Sequence, residues 1–160
     1  LLQLARSEAH VEMQPLDLAA LAREVAREWA GRALAQGIDL GYEGDEQRMV
    51  QGQPLLLREA LNNLIDNALH YAGSGATVTV RVSAGTDSWA ELVVEDDGPG
   101  VAQQHFADLF SRFWRGSDQA GGCGLGLSIV EEIALRHGGR AVAEPVTPRG
   151  LRAGLKLPLT

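Results

Sequence analysis

The 160-residue sequence predicts an α+β fold, a two-layer α/β sandwich whose mixed, mostly antiparallel sheet is covered on one face by three helices. Three observations predict it. Apolar residues recur at helical spacing in three separate segments. Alternating, β-branched segments flank short Gly/Asp and Pro/Gly turns, as hairpins do. No internal repeat or low-complexity tract interrupts the pattern. A chain of this length fits one domain with a core that needs no staples.

Taken in order, Leu1, Leu4 and Ala5 form one side of an amphipathic helical tail over residues 1–9, and residues 10–16 read as a linker punctuated by Pro15. The chain opens in the middle of a helical pattern, so residues 1–14 are expected to be the end of a preceding helix with its linker, and 15–160 the domain. Asp17 caps a helix running to about Ala35, with the stripe Leu18, Leu21, Ala22, Val25, Trp29, Leu34 and a stop at Gly37. Two short strands, about 38–43 and 48–51, join through the acidic turn Glu43 to Glu46. Pro54 opens a second helix, about 54–71, burying Leu57, Leu61, Leu64, Ile65 and Ala68. Residues 76–84 and 89–95 alternate around a Gly-Thr-Asp turn as a hairpin. A long glycine-bearing and aromatic segment spans 98–124, more than a plain connection requires. A third helix, about 125–137, ends at Gly138-Gly139, and strands at about 140–144 and 151–157 surround a Pro/Gly turn.

Composition removes several function classes. A formal charge of −7 argues against a nucleic-acid backbone or an anionic membrane surface as partner. Lys156 is the sole lysine, so neither a Gly-x-x-x-x-Gly-Lys-Ser/Thr phosphate loop nor a Val-Ala-Ile-Lys strand exists. Cys123, the sole cysteine, suits a reducing compartment. No apolar run has transmembrane length and no signal peptide is present, so the fragment is expected to be soluble.

Glu59, Asn63, Asn67 and Tyr71 recur every four residues and share one helix stripe beside the apolar one. A solvated helix face is the alternative, but two mid-helix asparagines are poor helix formers where Lys or Glu would serve. An asparagine oxygen suits Mg²⁺ already bound to phosphates, since it adds no competing negative charge. Asp96, Gly98 and Gly100 follow a strand. They make a good turn, and equally a carboxylate that can accept from the exocyclic amine of adenine, where guanine offers a carbonyl. Gly122, Gly124 and Gly126, with Leu125 and Leu127, lead into a helix whose free N–H groups favour an anion. Phe106, Leu109, Phe110, Phe113 and Trp114 bracket Arg112 and Arg115; inside so long a loop this cluster reads as a lid rather than as core.

The order and spacing of Glu59–Asn67, Glu95–Gly100, Leu109–Arg115 and Gly121–Leu127 resemble the N, G1, F and G2 boxes of the ATP-binding catalytic domain of bacterial sensor histidine kinases, members of the Bergerat-fold (GHKL) ATPases. The resemblance covers nearly the whole chain. It implies ATP and Mg²⁺ as cofactors, with Asn63 as the Mg²⁺ ligand, Asn67 as a contact to phosphate or to the ion's own ligands, and Glu59 as the general base or polariser. It further implies Asp96 on adenine and Arg112 near the γ-phosphate. His70, Tyr71, Gly98, Gly100, Arg115, Gly122, Gly124, Leu125, Gly126 and Leu127 complete the expected nucleotide site. His70 stands where many members carry lysine, and Cys123 where Thr or Ser is usual.

The resemblance also implies partners: a dimerisation and phosphoacceptor domain, of which residues 1–9 resemble the last helix, and a response regulator. It implies a cytoplasmic location for the fragment and an inner-membrane anchor for the full-length protein. His10, with Pro15 five residues on, mimics the phosphoacceptor signature. Val11 follows it, however, and only 53 residues separate it from Asn63, too few for the missing helices, so His10 reads as linker. His105 is expected on the lid surface, and His137 at a helix C-terminus where a cation would be favoured. Two rival readings are a serine-phosphorylating anti-sigma kinase and a nucleotide-binding regulatory module without transfer activity.

Overall fold

The computed structural model describes residues 12–85, 88–110 and 126–159. Strand β1 (Gln14–Asp17) leads into helix α1 (Leu18–Ala35), followed by β2 (Asp39–Gly44), β3 (Met49–Gly52) and helix α2 (Pro54–Ala72). The hairpin β4 (Thr77–Ala84) and β5 (Trp89–Asp96) comes next, then a 3₁₀ turn at Gln103–Asp108. Helix α3 (Gly126–Arg136) and strands β6 (Arg140–Pro145) and β7 (Leu151–Pro158) complete the described chain.

The main sheet has the order β2-β4-β5-β7-β6. Only β2 and β4 run parallel, and the other ladders are antiparallel. A parallel pair needs a crossover, and α2 lies within it. All three helices cover one sheet face, where Val78, Val80, Val82, Leu92, Leu155 and Leu157 meet Val25, Leu61, Ile65 and Ile133, each fully shielded from solvent. The predicted α+β sandwich is therefore present. Among the described residues no helix is long and apolar enough to cross a membrane.

The opposite sheet face is polar. One line of charges crosses it: Arg81 bonds Glu43 at 3.1 Å and Glu95 at 3.2 Å, and Arg152 bonds Glu95 at 2.6 Å and Glu144 at 2.8 Å. These five residues come from β2, β4, β5, β7 and β6, so the ladder follows the sheet order from edge to edge. Burial would raise the Glu95 carboxyl, but the Arg152 and Arg81 guanidinium groups outweigh it and hold the group below its ordinary value.

Four local expectations are corrected. Residues 14–16 are not linker: with the cap residue Asp17 they form β1, paired antiparallel with β3 from Gln14↔Gly52 to Asp17↔Met49. The strands expected at 38–43 and 48–51 are not partners of each other; β2 joins the main sheet and β3 the two-stranded one. Asp17 makes the junction, because its Oδ1 accepts from Ala19 N at 3.1 Å as a helix cap and from Arg48 N at 2.9 Å beside β3. Leu34 is 78% exposed, and Ala33 takes the buried place. The aromatic cluster divides. Leu109 is buried in the core and Phe106 and Phe110 pack against it, whereas Phe113 and Trp114 lie outside the described residues.

Candidate functional site

Helix α2 starts cleanly. Gln53 Oε1 accepts from Leu55 N at 2.7 Å and Leu56 N at 3.3 Å, and Pro54 occupies the first turn, where its missing N–H costs nothing. The helix buries Leu57, Leu61, Leu64, Ile65 and Ala68 as expected, and this anchors the rotation of its polar stripe.

The adjacent asparagines of α2 then separate by what they touch. Asn62 Oδ1 accepts from Trp29 Nε1 at 2.8 Å, tying α2 to α1. Asn63 instead donates its Nδ2 to Glu59 O at 2.9 Å, one helical turn back. A backbone carbonyl can only accept, so this bond fixes the amide orientation, and among the described residues Oδ1 accepts no hydrogen bond. That oxygen lies beside the start of α3: a Cβ added to Gly126 would stand 3.6 Å from it. The side-chain oxygen of Asn63 thus faces the first described turn of α3.

Asn63 also borders a groove of about 460 Å³ between α1 and α2, lined by Glu28, Trp29, Arg32, Glu59, Asn62, Asn63 and Asp66. Glu59 contributes an Oε2 that is buried and has no hydrogen-bond partner. The Arg32 guanidinium stacks over the Trp29 ring at 4.4 Å.

On the other side of the stripe a smaller cavity is lined by Leu64, Asn67, Ala68, Val94, Asp96, Leu127, Leu151 and Ala153. Asp96 stands at the end of β5, with Oδ1 accepting from Gly98 N at 2.9 Å. Burial pushes its carboxyl above the ordinary value; backbone donors at Gly98 and Leu151 work against that, and the Asp97 charge adds to it. The two glycines are needed for close approach. A Cβ on Gly98 would come within 2.7 Å of Ala72 Cα, and Gly100 has φ +77° against the backbone of Gly150. Asp97 serves the turn, its Oδ1 accepting from Thr77 N at 2.8 Å.

At the end of α2, His70 and Tyr71 meet edge to face with centroids 4.6 Å apart, and His70 Nε2 is buried without a partner. Of the sequence-predicted residues, Glu59, Asn63, Asn67, Asp96, Gly126 and Leu127 therefore gather along one flank of α2. Arg112, Arg115, Gly122, Gly124 and Leu125 lie outside the described residues. Sequence reasoning missed the Leu151 backbone donor on Asp96 and the Trp29–Asn62 bond. The glycine at Gly150 was the one available signal for the first, and nothing local signalled the second.

The sequence model of the histidine kinase-, DNA gyrase B-, and HSP90-like ATPases matches residues 52–160. The chain belongs to this ATPase family. Among its relatives, the Sensor histidine kinase CusS of Escherichia coli K12 is 39% identical over 132 residues, covering 79% of this chain and 27% of CusS. The Sensor protein kinase PmrB of Pseudomonas aeruginosa is 36% identical over 152 residues, covering 93% of this chain and 31% of PmrB. The chain thus spans less than a third of these curated relatives. Among solved structures, the mycobacterial sensor histidine kinase MprB superposes with a TM-score of 0.81 at 29% identity, covering 91% of this chain and 98% of that one. Full-length ShkA, solved in complex with AMPPNP, superposes with a TM-score of 0.84 at 26% identity, covering 99% of this chain and 34% of that one. The ATPase-family fold seen here is shared with solved structures described as the catalytic domain of histidine kinase ThkA and the ATP binding domain of PrrB from Mycobacterium tuberculosis.

Proposed function

We propose that this chain binds Mg-ATP along the flank of α2 and donates the γ-phosphoryl group to a histidine on a separate dimerisation domain, within a membrane-anchored two-component sensor kinase that passes the phosphoryl on to a response regulator. The observation that carries the reading is the Oδ1 of Asn63, its amide oriented by the Glu59 carbonyl and set beside Gly126. Asp96 supplies an acceptor for the adenine amine in the cavity it shares with Asn67 and Leu127. The N-terminal end of α3 supplies N–H groups and a positive dipole end for phosphates.

The residues present fit a Mg²⁺ ion, because Asn63 offers a neutral oxygen ligand and the nucleotide would supply the rest. Bound there, the ion would neutralise charge on the β- and γ-phosphate oxygens. Glu59, whose unpartnered Oε2 belongs to the groove that Asn63 also lines, would take the proton of an attacking imidazole or orient it. Asn67, His70, Tyr71, Gly98 and Gly100 are assigned to nucleotide contacts. Arg112, Arg115, Gly122, Gly124 and Leu125 keep the roles implied by their boxes.

Calorimetric titration tests the reading, using a non-hydrolysable ATP analogue and a GTP analogue, each with and without Mg²⁺. Adenine-selective binding is expected. Asp96→Ala should lose about 100-fold, equivalent to ~3 kcal/mol. Asn63→Ala should lose about tenfold and most of the Mg²⁺ dependence. A wild-type chain that binds neither nucleotide overturns the proposal. Nucleotide binding without transfer to an added helix-pair acceptor domain would instead favour a regulatory module.

A further inference from the structure

His137 is the buried polar side chain of the described core, 7% exposed, and both its ring nitrogens are used. Nδ1 stands 2.8 Å from Ile133 O, in the last turn of α3. Nε2 lies 3.0 Å from the backbone N of Gln53, the residue that caps α2. The Gln53 N–H can only donate and the Ile133 carbonyl can only accept. The ring is therefore the neutral tautomer with its hydrogen on Nδ1, not the cation expected for a helix C-terminus. The ring packs against Gly52, where an added Cβ would stand 3.4 Å from both Cδ2 and Nε2 and would meet Leu57 Cδ1 first, at 2.7 Å.

Helix α3 is thus tied to α2 at one end through His137 and Gln53, while its other end, Gly126, lies against Asn63. The two helices run antiparallel. From Gln53 to Asn63 is about 15 Å along α2, and from Gly126 to His137 about 16 Å along α3, at ~1.5 Å per residue. With matched spans, a displacement at the His137 end is carried by the rigid helix to the Gly126 end.

We propose that His137 is a positioning residue for the phosphate end of the nucleotide site: by joining the end of α3 to the start of α2 it sets where the α3 N-terminus lies against Asn63. The inference rests on the nucleotide reading above. Protonation would remove Nε2 as an acceptor and set two hydrogens against the Gln53 N–H and the Ile133 carbonyl, releasing the first. Burial favours the neutral form and lowers the pKa of the ring, against the opposing effect of the Ile133 bond. The ring's contacts at Gly52, Gln53 and Ile133 are uncharged. Of the charged groups on the elements around it, Arg136 pairs with Glu132 on α3, Lys156 of β7 with Glu91, and Arg58 of α2 with Glu24 and Glu28.

The test compares wild type with His137→Gln, which offers an acceptor to Gln53 but does not titrate, and with His137→Ala. Affinities for a non-hydrolysable Mg-ATP analogue and for adenosine are measured from pH 7.5 to 5. Both ligands share the base end, so the titration of Asp96 cancels in their ratio. The variants share the ligand and His70, so any difference in that ratio belongs to His137. Wild type should lose about tenfold in the ratio on acidification, the weight of one hydrogen bond. His137→Gln should stay near the neutral-pH wild-type ratio throughout, and His137→Ala should be low at every pH.

Superimposable ratio profiles for wild type and His137→Gln overturn the proposal. A second arm needs no nucleotide: amide resonances of Gln53 and of Gly126 to Ser128 should shift together as His137 titrates, and stay still in His137→Gln. If wild type fails to bind ATP, the nucleotide reading falls, and this arm alone decides the coupling. Resonances at Gly126 to Ser128 that ignore the titration sink it.

Discussion

The two faces of this molecule treat charge in opposite ways. Across the open sheet face, Glu43, Arg81, Glu95, Arg152 and Glu144 are joined hand to hand over five strands. Along the flank of α2, Glu59 Oε2 and His70 Nε2 are buried and unpartnered, and burial pushes the Asp96 carboxyl above its ordinary value. Arg81 Nε is an exception on the open face, buried without a partner although both terminal nitrogens are paired. Paired charges hold a sheet together and leave little free energy for a ligand. Unpaired ones cost stability and are satisfied when something binds.

The largest effect should come from Asp96→Asn. It should lose about 100-fold in affinity for the ATP analogue, because the acceptor for the adenine amine is weakened. Its effect on the free chain has the opposite sign. The folded pKa of Asp96 lies above its ordinary 3.8, so ionisation opposes folding as pH rises through and above that value. The melting temperature of Asp96→Asn relative to wild type should therefore climb as pH rises from 3.8 through the raised folded value, and level off above it. A difference that does not change with pH would break the contrast between the two faces.

Arg152→Ala should cost about 1–2 kcal/mol in denaturant unfolding, between the values for exposed and buried pairs. Here the pH dependence runs the other way. The folded pKa of Glu95 lies below its ordinary 4.5, so the stability it adds is complete above 4.5 and fades as pH falls through the lower, folded value. The loss in Arg152→Ala should shrink over that acid range, while nucleotide affinity at neutral pH changes little. Asn62→Ala should cost about 1 kcal/mol of stability, the weight of one part-buried hydrogen bond. It should leave the Mg²⁺ dependence of binding that Asn63→Ala removes. Glu43→Gln, at the exposed end of the ladder, should cost less than about 0.5 kcal/mol. A larger loss there would mean that the ladder acts as one cooperative unit.

What could be read from sequence divides along the same physical line. Helix α1 and helix α2 were legible to within a residue because Asp17, Gly37 and Pro54 act within one turn of their own positions. Strand β1 was not, since Gln-Pro-Leu-Asp carries no alternation and exists only through its pairing with β3. Nor was the parallel pairing of β2 with β4, which depends on α2 crossing between them.

In the site, the residue types were legible and their partners were not. Asn62 and Asn63 look alike until Trp29, 33 positions away, engages one of them. His137 reads as a helix-end cation until Gln53, 84 positions away, donates to its ring. Leu109 reads as lid until the core is assembled around it. Periodicity and capping are local. The choice between burial, bonding and availability is made by residues distant in the chain.

The indole of Trp29 has a practical consequence. Its N–H is bonded to Asn62, a guanidinium lies on its ring, and the same groove is lined by Glu59 and Asn63. A fluorophore so placed, between a cation and the side chains expected to meet Mg²⁺, should change emission when that neighbourhood is reorganised. With Trp89 and Trp114 replaced by phenylalanine, Trp29 becomes an intrinsic optical reporter, able to follow occupancy in a stopped-flow instrument without an attached dye.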